Sequence, residues 1–199
     1  MYLPTYARED DRETLLGFMR AHAFATLVTA PDGRPFASHL PLLTDESGGV
    51  MVIRSHMARA NGQWRHLEAG AEALAIFQGP HALVDSSWYL SQPNVPTWNY
   101  VAVHAYGEAR VLPDDEAATV ARAMVAHFTP DAPDIPEEYE QKLLRGVVTF
   151  ELRVTRLEGK YKLSQNKAAA DQAAVVTHLE ASEHGEARAT AALMRGRRG

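Results

Sequence analysis

The 199-residue chain has 46% hydrophobic residues, a formal net charge of −5 and no cysteine. Its length and apolar content suit one large domain, or one domain with a small appendage, around a buried core. Disulfides, thiolate zinc sites and cysteine nucleophiles are excluded, and the negative charge argues against a protein whose main task is gripping nucleic-acid phosphates.

The opening Met1-Tyr2-Leu3-Pro4 lacks the basic and apolar regions of a signal peptide, and no apolar run reaches the roughly 20 residues that span a bilayer. The expected location is the cytoplasm, with no membrane contact. Asp10 and Glu13 resemble a capping pair for a helix whose buried stripe is Leu15, Leu16, Phe18 and Met19, ending near His22. Residues 24–29 then read as a strand, Asp32-Gly33 as a tight turn, and 35–43 as the returning strand. Ser47-Gly48-Gly49 marks another turn before a β-branched run over 50–55.

Residues 58–67 look helical. Short strands are expected at 74–77 and 81–84, then a loop between Pro93 and Pro96 and a long alternating strand over 98–112. Two helices follow, around 115–128 and 136–144, and a last strong strand over 147–157. From Ala168 the alanine-rich sequence suggests a helix. Residues 1–180 form the expected domain and 181–199 a tail or an extension of that helix. Its basic cluster, Arg195-Gly196-Arg197-Arg198, reads as a solvated terminus. Antiparallel strands joined by short turns, with helices around them, predict a mainly β (α+β) fold: a closed or nearly closed barrel with peripheral helices.

The sequence contains no phosphate-binding glycine loop, no dinucleotide turn, no nucleophile elbow and no zinc-protease helix. His39, His56 and His104 fall in strands or at their ends, where hydrogen-bonding roles are favoured over a shared metal, and no metal site is expected.

Four polar clusters sit near strand ends. Ser38-His39-Leu40-Pro41 offers polar and backbone groups to a flat ligand, or is simply a strand with one polar face. The run from Arg54 to Trp64 gathers Ser55, His56, Arg59, Asn61 and Gln63 where a strand empties into an expected helix. That arrangement suits a phosphate, with helix N–H groups and a guanidinium facing the anion; the plainer reading is a polar helix cap. Trp98 and Asn99 place apolar area and an amide at a loop–strand junction, unless Trp98 is core and Asn99 caps a turn. Lys160 and Lys162 share a face ahead of Ser164 and Gln165, fitting either a phosphate or electron-rich ring, or a solvated edge strand.

Several of these stretches together resemble the PaiB family: His56-Met57-Ala58-Arg59-Ala60-Asn61, Phe77-Gln78-Gly79-Pro80-His81, residues 95–104, and Lys162-Leu163-Ser164-Gln165-Asn166. Met1-Tyr2-Leu3-Pro4 and the segment from Ala25 to Leu42 fit as well, so the resemblance runs in register from residue 1 to about 180. It implies an FMN-binding split β-barrel related to pyridoxamine-phosphate-oxidase-like flavoproteins, with flavins at a homodimer interface. It further implies a negative transcriptional regulator. On the matched positions, Arg59 and Asn61 would hold the FMN phosphate, with Ser55 and His56 lining the approach. Ser38, His39, Leu40 and Pro41 would border the ring and ribityl chain. Trp98, Asn99, Lys162, Ser164 and Gln165 would arrive from the facing subunit or the last strand. Gly62 departs from the family's usual proline, Asp85-Ser86-Ser87-Trp88-Tyr89 from its usual loop, and Tyr161 from a common tryptophan.

Three functions are open at this point: a flavin-binding regulator, an FMN-dependent oxidoreductase on a small substrate, and a haem-binding or haem-degrading protein. The flavin carries its own electron chemistry, so the oxidoreductase reading demands no particular acid or base from the chain. No helix-turn-helix signature is present, so direct DNA reading is poorly supported and any regulation would pass through a protein partner.

Overall fold

The computed structural model describes residues 1–197. Its elements, in chain order, are β1 (Arg8–Glu9), α1 (Arg12–Ala21), β2 (Phe24–Thr29), β3 (Phe36–Pro41), β4 (Leu43–Ser47), β5 (Val50–Ala58), α2 (Trp64–Glu68), β6 (Glu72–Val84), β7 (Thr97–Val111), α3 (Asp114–Phe128), α4 (Glu137–Leu144), β8 (Val147–Lys162), α5 (Ala169–Glu180) and α6 (Gly185–Gly196). The strands hydrogen-bond in the order β3-β2-β6-β7-β8-β5-β4, with β1 on β8. Among the described residues no helix is long and apolar enough to cross a membrane.

The chain divides into two compact units, of residues 16–77 with 104–157, and of residues 1–15 with 78–103 and 158–199. In the first, β2 pairs antiparallel with β3 and β6, and β5 with β4 and β8. Two hairpin turns form where the sequence places them: Asp32 and Gly33 take φ of 54° and 73°, and Gly48 and Gly49 take 58° and 76°. Glycine reaches this left-handed region without a Cβ penalty, and aspartate is one of the few residues that tolerates it. The period of two then sorts β5, sending Met51, Ile53, Ser55 and Met57 into the core beside Phe77, Phe150 and Leu152. On the other face, Leu43 packs with Leu112, Val120 and Met124 beneath α3. Gly107 permits a close strand approach: a Cβ there would lie 2.1 Å from the Arg153 carbonyl oxygen.

In the second unit, α5 buries Val175, Val176 and Leu179, and α6 buries Ala187, Thr190, Ala191 and Met194. The buried Asp171, in the first turn of α5, accepts hydrogen bonds from the Leu90 and Ser91 amides at 2.7 and 3.0 Å and from Ser91 Oγ. Those bonds hold its carboxyl below the usual range, the Ser91 hydroxyl contributing most. One carboxylate thereby fixes the loop that precedes β7.

The structure departs from the expected elements in five places. Asp11, not Asp10, caps α1, its carboxylate accepting from the Thr14 amide at 2.8 Å. Residues 58–67 are not one helix: β5 runs to Ala58, a turn follows, and α2 spans only Trp64–Glu68. The strands expected at 74–77 and 81–84 are one strand, because the residue before a proline prefers extended backbone and Gly79-Pro80 continues β6. β8 continues past Leu157 to Lys162. Gly185–Gly196 is neither loose nor a continuation of α5 but a separate helix, α6, whose Arg195 pairs with Glu180. Arg197 pairs with Glu9 and lies 3.8 Å over the Tyr161 ring. Arg198, the rest of that basic cluster, lies outside the described residues.

Candidate functional site

The expected binding residues fall into two groups, one in each unit. In the first, the turn after β5 is organised by Arg59, Asn61 and Gln63. Arg59 is exposed, yet its guanidinium is not loose: Nε donates to the Arg145 carbonyl and Nη2 to the Val147 carbonyl, both at 3.0 Å. The Arg59 amide adds a bond to the Gly146 carbonyl at 2.8 Å. Two carbonyls thus fix the direction of the guanidinium, and the amide bond fixes the backbone that carries it. Asn61 Nδ2 donates to Ser38 Oγ at 2.8 Å, and Asn61 Oδ1 accepts from the Gln63 amide at 3.1 Å.

Gln63 stands in the polar run that the sequence singles out, though not among the expected binding residues. It is fully buried, and its Nε2 lies within 3.0–3.3 Å of the Leu27 carbonyl, Thr29 Oγ1 and the Phe36 carbonyl. One amide therefore ties β2 and β3 to the turn that carries Arg59 and Asn61. The sequence shows the glutamine but not the three acceptors, 27 to 36 residues away, that bury it.

Neighbouring residues of the expected set face opposite ways. Ser38 lies opposite Leu27 and meets Asn61, whereas His39 lies opposite Thr26 on the outer face. There His39 Nδ1 is 3.0 Å from Thr26 Oγ1, with the Phe24 ring 6.4 Å away. Leu40 and Pro41 are half-buried on β3. Ser55 points inward, donating to the Pro41 carbonyl at 2.7 Å. His56 points to the opposite face of β5, beside the buried Thr149, with a buried Nδ1 that has no hydrogen-bond partner. Burial pushes its pKa below the ordinary histidine value. Ser38, Asn61 and Arg59 thus gather around one turn, while His39 and His56 stand apart from it. With α2 only five residues long, that turn has no helix N-terminus of the kind the sequence led one to expect beside the guanidinium.

In the second unit, β7 and the end of β8 are stitched together. Lys162 Nζ donates to Thr97 Oγ1 and to the Trp98 carbonyl, and Asn99 pairs with Ser164. Trp98 itself is 52% exposed, its ring 5.9 Å from that of His81. Gln165 closes the following turn, accepting from the Leu163 amide at 2.7 Å and donating to the Tyr161 carbonyl. Lys160 is buried, donating to the Tyr2 carbonyl at 2.9 Å, with the Tyr2 and Tyr100 rings 5.2 and 5.3 Å from its Nζ. Burial first, and the charge of Lys160 second, hold the Lys162 amine below the ordinary lysine range.

Each group has its own chemistry: the oriented, exposed guanidinium of the first unit matches a phosphate, and the ammonium, indole and amide groups of the second match a flat ring bearing carbonyls, both parts of a flavin mononucleotide. Among the described residues no cluster of His, Asp and Glu comes together to hold a metal.

The fold is shared with solved flavin proteins. The FAD- and haem-binding protein of Mycobacterium smegmatis superposes with a TM-score of 0.63 at 18% identity, covering 84% of this chain and 79% of that one. The flavocytochrome Anf3 of Azotobacter vinelandii gives 0.63 at 17% identity, covering 86% and 78%. At such identities the likeness shows the fold alone, a split β-barrel with peripheral helices. The family follows from sequence. Residues 1–156 match the profile described as "Putative FMN-binding domain". The chain is also 40% identical, over 98% of its length and 96% of the relative's, to the "Protease synthase and sporulation protein PAI 2" of Bacillus subtilis. The chain belongs to this FMN-binding family, the PaiB family, and its cofactor is FMN.

Proposed function

We propose that the protein is a PaiB-type transcriptional regulator that works in the cytoplasm as a flavin-loaded homodimer. The observation that carries the cofactor site is Arg59: two backbone carbonyls aim an exposed guanidinium from the turn that also pairs Asn61 with Ser38. Arg59 and Asn61 hold the phosphate there, with Ser38 and Ser55 shaping the turn and strand around it. Trp98, Lys162 and Gln165 supply ring contacts, supported by Asn99 and Ser164. When bound, the flavin ring supplies one- or two-electron transfer; the chain supplies binding and orientation.

The dimer is supported by an open sheet face in the first unit. The cross-strand pairs Phe24–Pro41, Thr26–His39 and Val28–Ala37 share one face of β2 and β3, which β6 extends with Leu74 and Ile76. All are exposed or half-buried, Phe24 at 74%. A contiguous apolar sheet face of this kind marks an interaction surface, and a second copy covers it symmetrically. The net charge of −5 favours regulation through a protein partner over direct DNA contact. The regulatory part of the reading is supported by the name of the 40% identical relative.

The test is an absorption spectrum of purified protein after soaking in FMN and gel filtration. Flavin bands co-eluting with protein at the mass of a dimer are expected. Protein that elutes colourless removes the cofactor site, and a flavin-loaded monomer removes the homodimer.

A further inference from the structure

Asn99 is wholly buried and Ser164 is 4% exposed, so neither side chain has surface to offer a ligand. Their polar atoms are spent on each other: Asn99 Nδ2 lies 3.0 Å from Ser164 Oγ, which in turn lies 3.2 Å from Asn99 Oδ1. The same Nδ2 lies 3.4 Å from Met194 Sδ, on the buried stripe of α6. Ser164 also holds φ at 63°, a left-handed conformation that a serine keeps only where its surroundings enforce it. Two residues before Ser164 stands Lys162. Its ammonium is anchored on Thr97 and Trp98, the two residues before Asn99. The segments 97–99 and 162–164 are therefore laced twice, once through the lysine and once through the buried pair.

We propose that α6, through Met194 and the Asn99–Ser164 pair, positions the Lys162 ammonium for an electron-rich, hydrogen-bond-accepting group of the ligand. Carbonyl-bearing heteroaromatic rings, the flavin ring among them, are the class that fits, and in that respect the inference rests on the FMN reading above. Lys162 is the binding residue; Asn99, Ser164 and Met194 are positioning residues. α6 lies beyond residue 156, where the match to the FMN-binding profile ends, and it becomes part of the binding machinery. The need for a scaffold is physical. A half-buried ammonium near a second lysine is disfavoured by desolvation and repulsion, so its geometry persists only if the strands around it cannot relax.

The experiment uses trace acetylation with acetic anhydride across pH, read by mass spectrometry at Lys142, Lys160, Lys162 and Lys167 in flavin-free protein. Ser164→Gly removes the hydroxyl while suiting the left-handed backbone, Met194→Ala thins the helix contact, and Met194→Leu keeps its bulk. In the wild type Lys162 is expected to titrate below the ordinary lysine range. In Ser164→Gly and Met194→Ala its titration moves up toward the ordinary lysine value, the other lysines keep theirs, and FMN affinity falls about fivefold to tenfold. Met194→Leu retains the wild-type profile. A Lys162 profile unchanged in folded Ser164→Gly overturns the proposal, whatever happens to FMN. Because the labelling is read without flavin, a wild type that fails to bind FMN counts against the cofactor reading and leaves the labelling result to decide the positioning.

Discussion

The two polar groups of this molecule are built on opposite plans. In the turn after β5, the Arg59 cation is exposed and the carbonyls of Arg145 and Val147 hold it in place. At the end of β8, the key amide and hydroxyl are buried and held by each other, with a half-exposed lysine beside them. Carbonyl anchors keep an arginine aimed while its charge stays in water, which costs little desolvation. A buried side-chain pair offers nothing directly to a ligand but fixes the strands that carry the lysine. The first group should therefore report in binding, and the second in stability.

The sharpest way to break that contrast is Arg59→Ala. Loss of a charge-assisted hydrogen bond to an anion costs about 1.5–3 kcal/mol, so FMN affinity should fall roughly tenfold to a hundredfold by fluorescence titration. Affinity within a factor of two of wild type would remove Arg59 from the phosphate site. The next effect separates two asparagines. Asn99→Ala strips a fully buried amide from Ser164 and should cost about 2 kcal/mol, lowering Tm by about 4–8 °C. Asn61→Ala, at a half-buried turn, should cost about 1 kcal/mol and act mainly on FMN retention. If calorimetry ranks the two the other way, the division into a binding group and a structural group fails.

Much of the frame was legible because turn chemistry and alternation are local. Asp32-Gly33 and Ser47-Gly48-Gly49 announce their hairpins, and the alternation over 98–112 announces β7. The opposite facing of Ser38 and His39, and of Ser55 and His56, also follows from a period of two. Grouping each pair on a ligand was therefore too generous. What could not be read was decided by distant partners. Residues 58–67 carry a helix-like pattern, but Arg59 bonds to carbonyls 86 and 88 residues away and Gln63 to β2 and β3, so the chain turns instead. The alanine-rich end gave no sign of a break, yet Ala181–His184 separates two helices whose packing brings Met194 onto Asn99. Among the expected site residues, the Arg59–Asn61–Ser38 turn was within reach of a sequence argument. The buried role of Asn99 was not, because nothing in residues 95–104 shows what will cover them.

The smallest expected effect concerns His56, a residue of the first group with a buried polar atom like those of the second. Its ring lies beside the buried Thr149 and two residues from Arg54, whose charge is already paired with Glu151 at 2.8 Å. With Nδ1 buried and unpartnered, the imidazolium gains no compensating bond, and burial alone lowers the pKa. Between that lowered value and the ordinary 6.5, the unfolded chain binds more protons at this position than the folded one. Its contribution to stability is thus complete above pH 6.5, declines as pH falls through the window, and levels off below the folded pKa. Urea midpoints measured from pH 7.5 to 5 should fall more for wild type than for His56→Gln, which cannot titrate. Parallel pH profiles would mean that the ring finds a partner when protonated, and would move His56 from the buried scaffold to the exposed, ligand-ready side of the comparison.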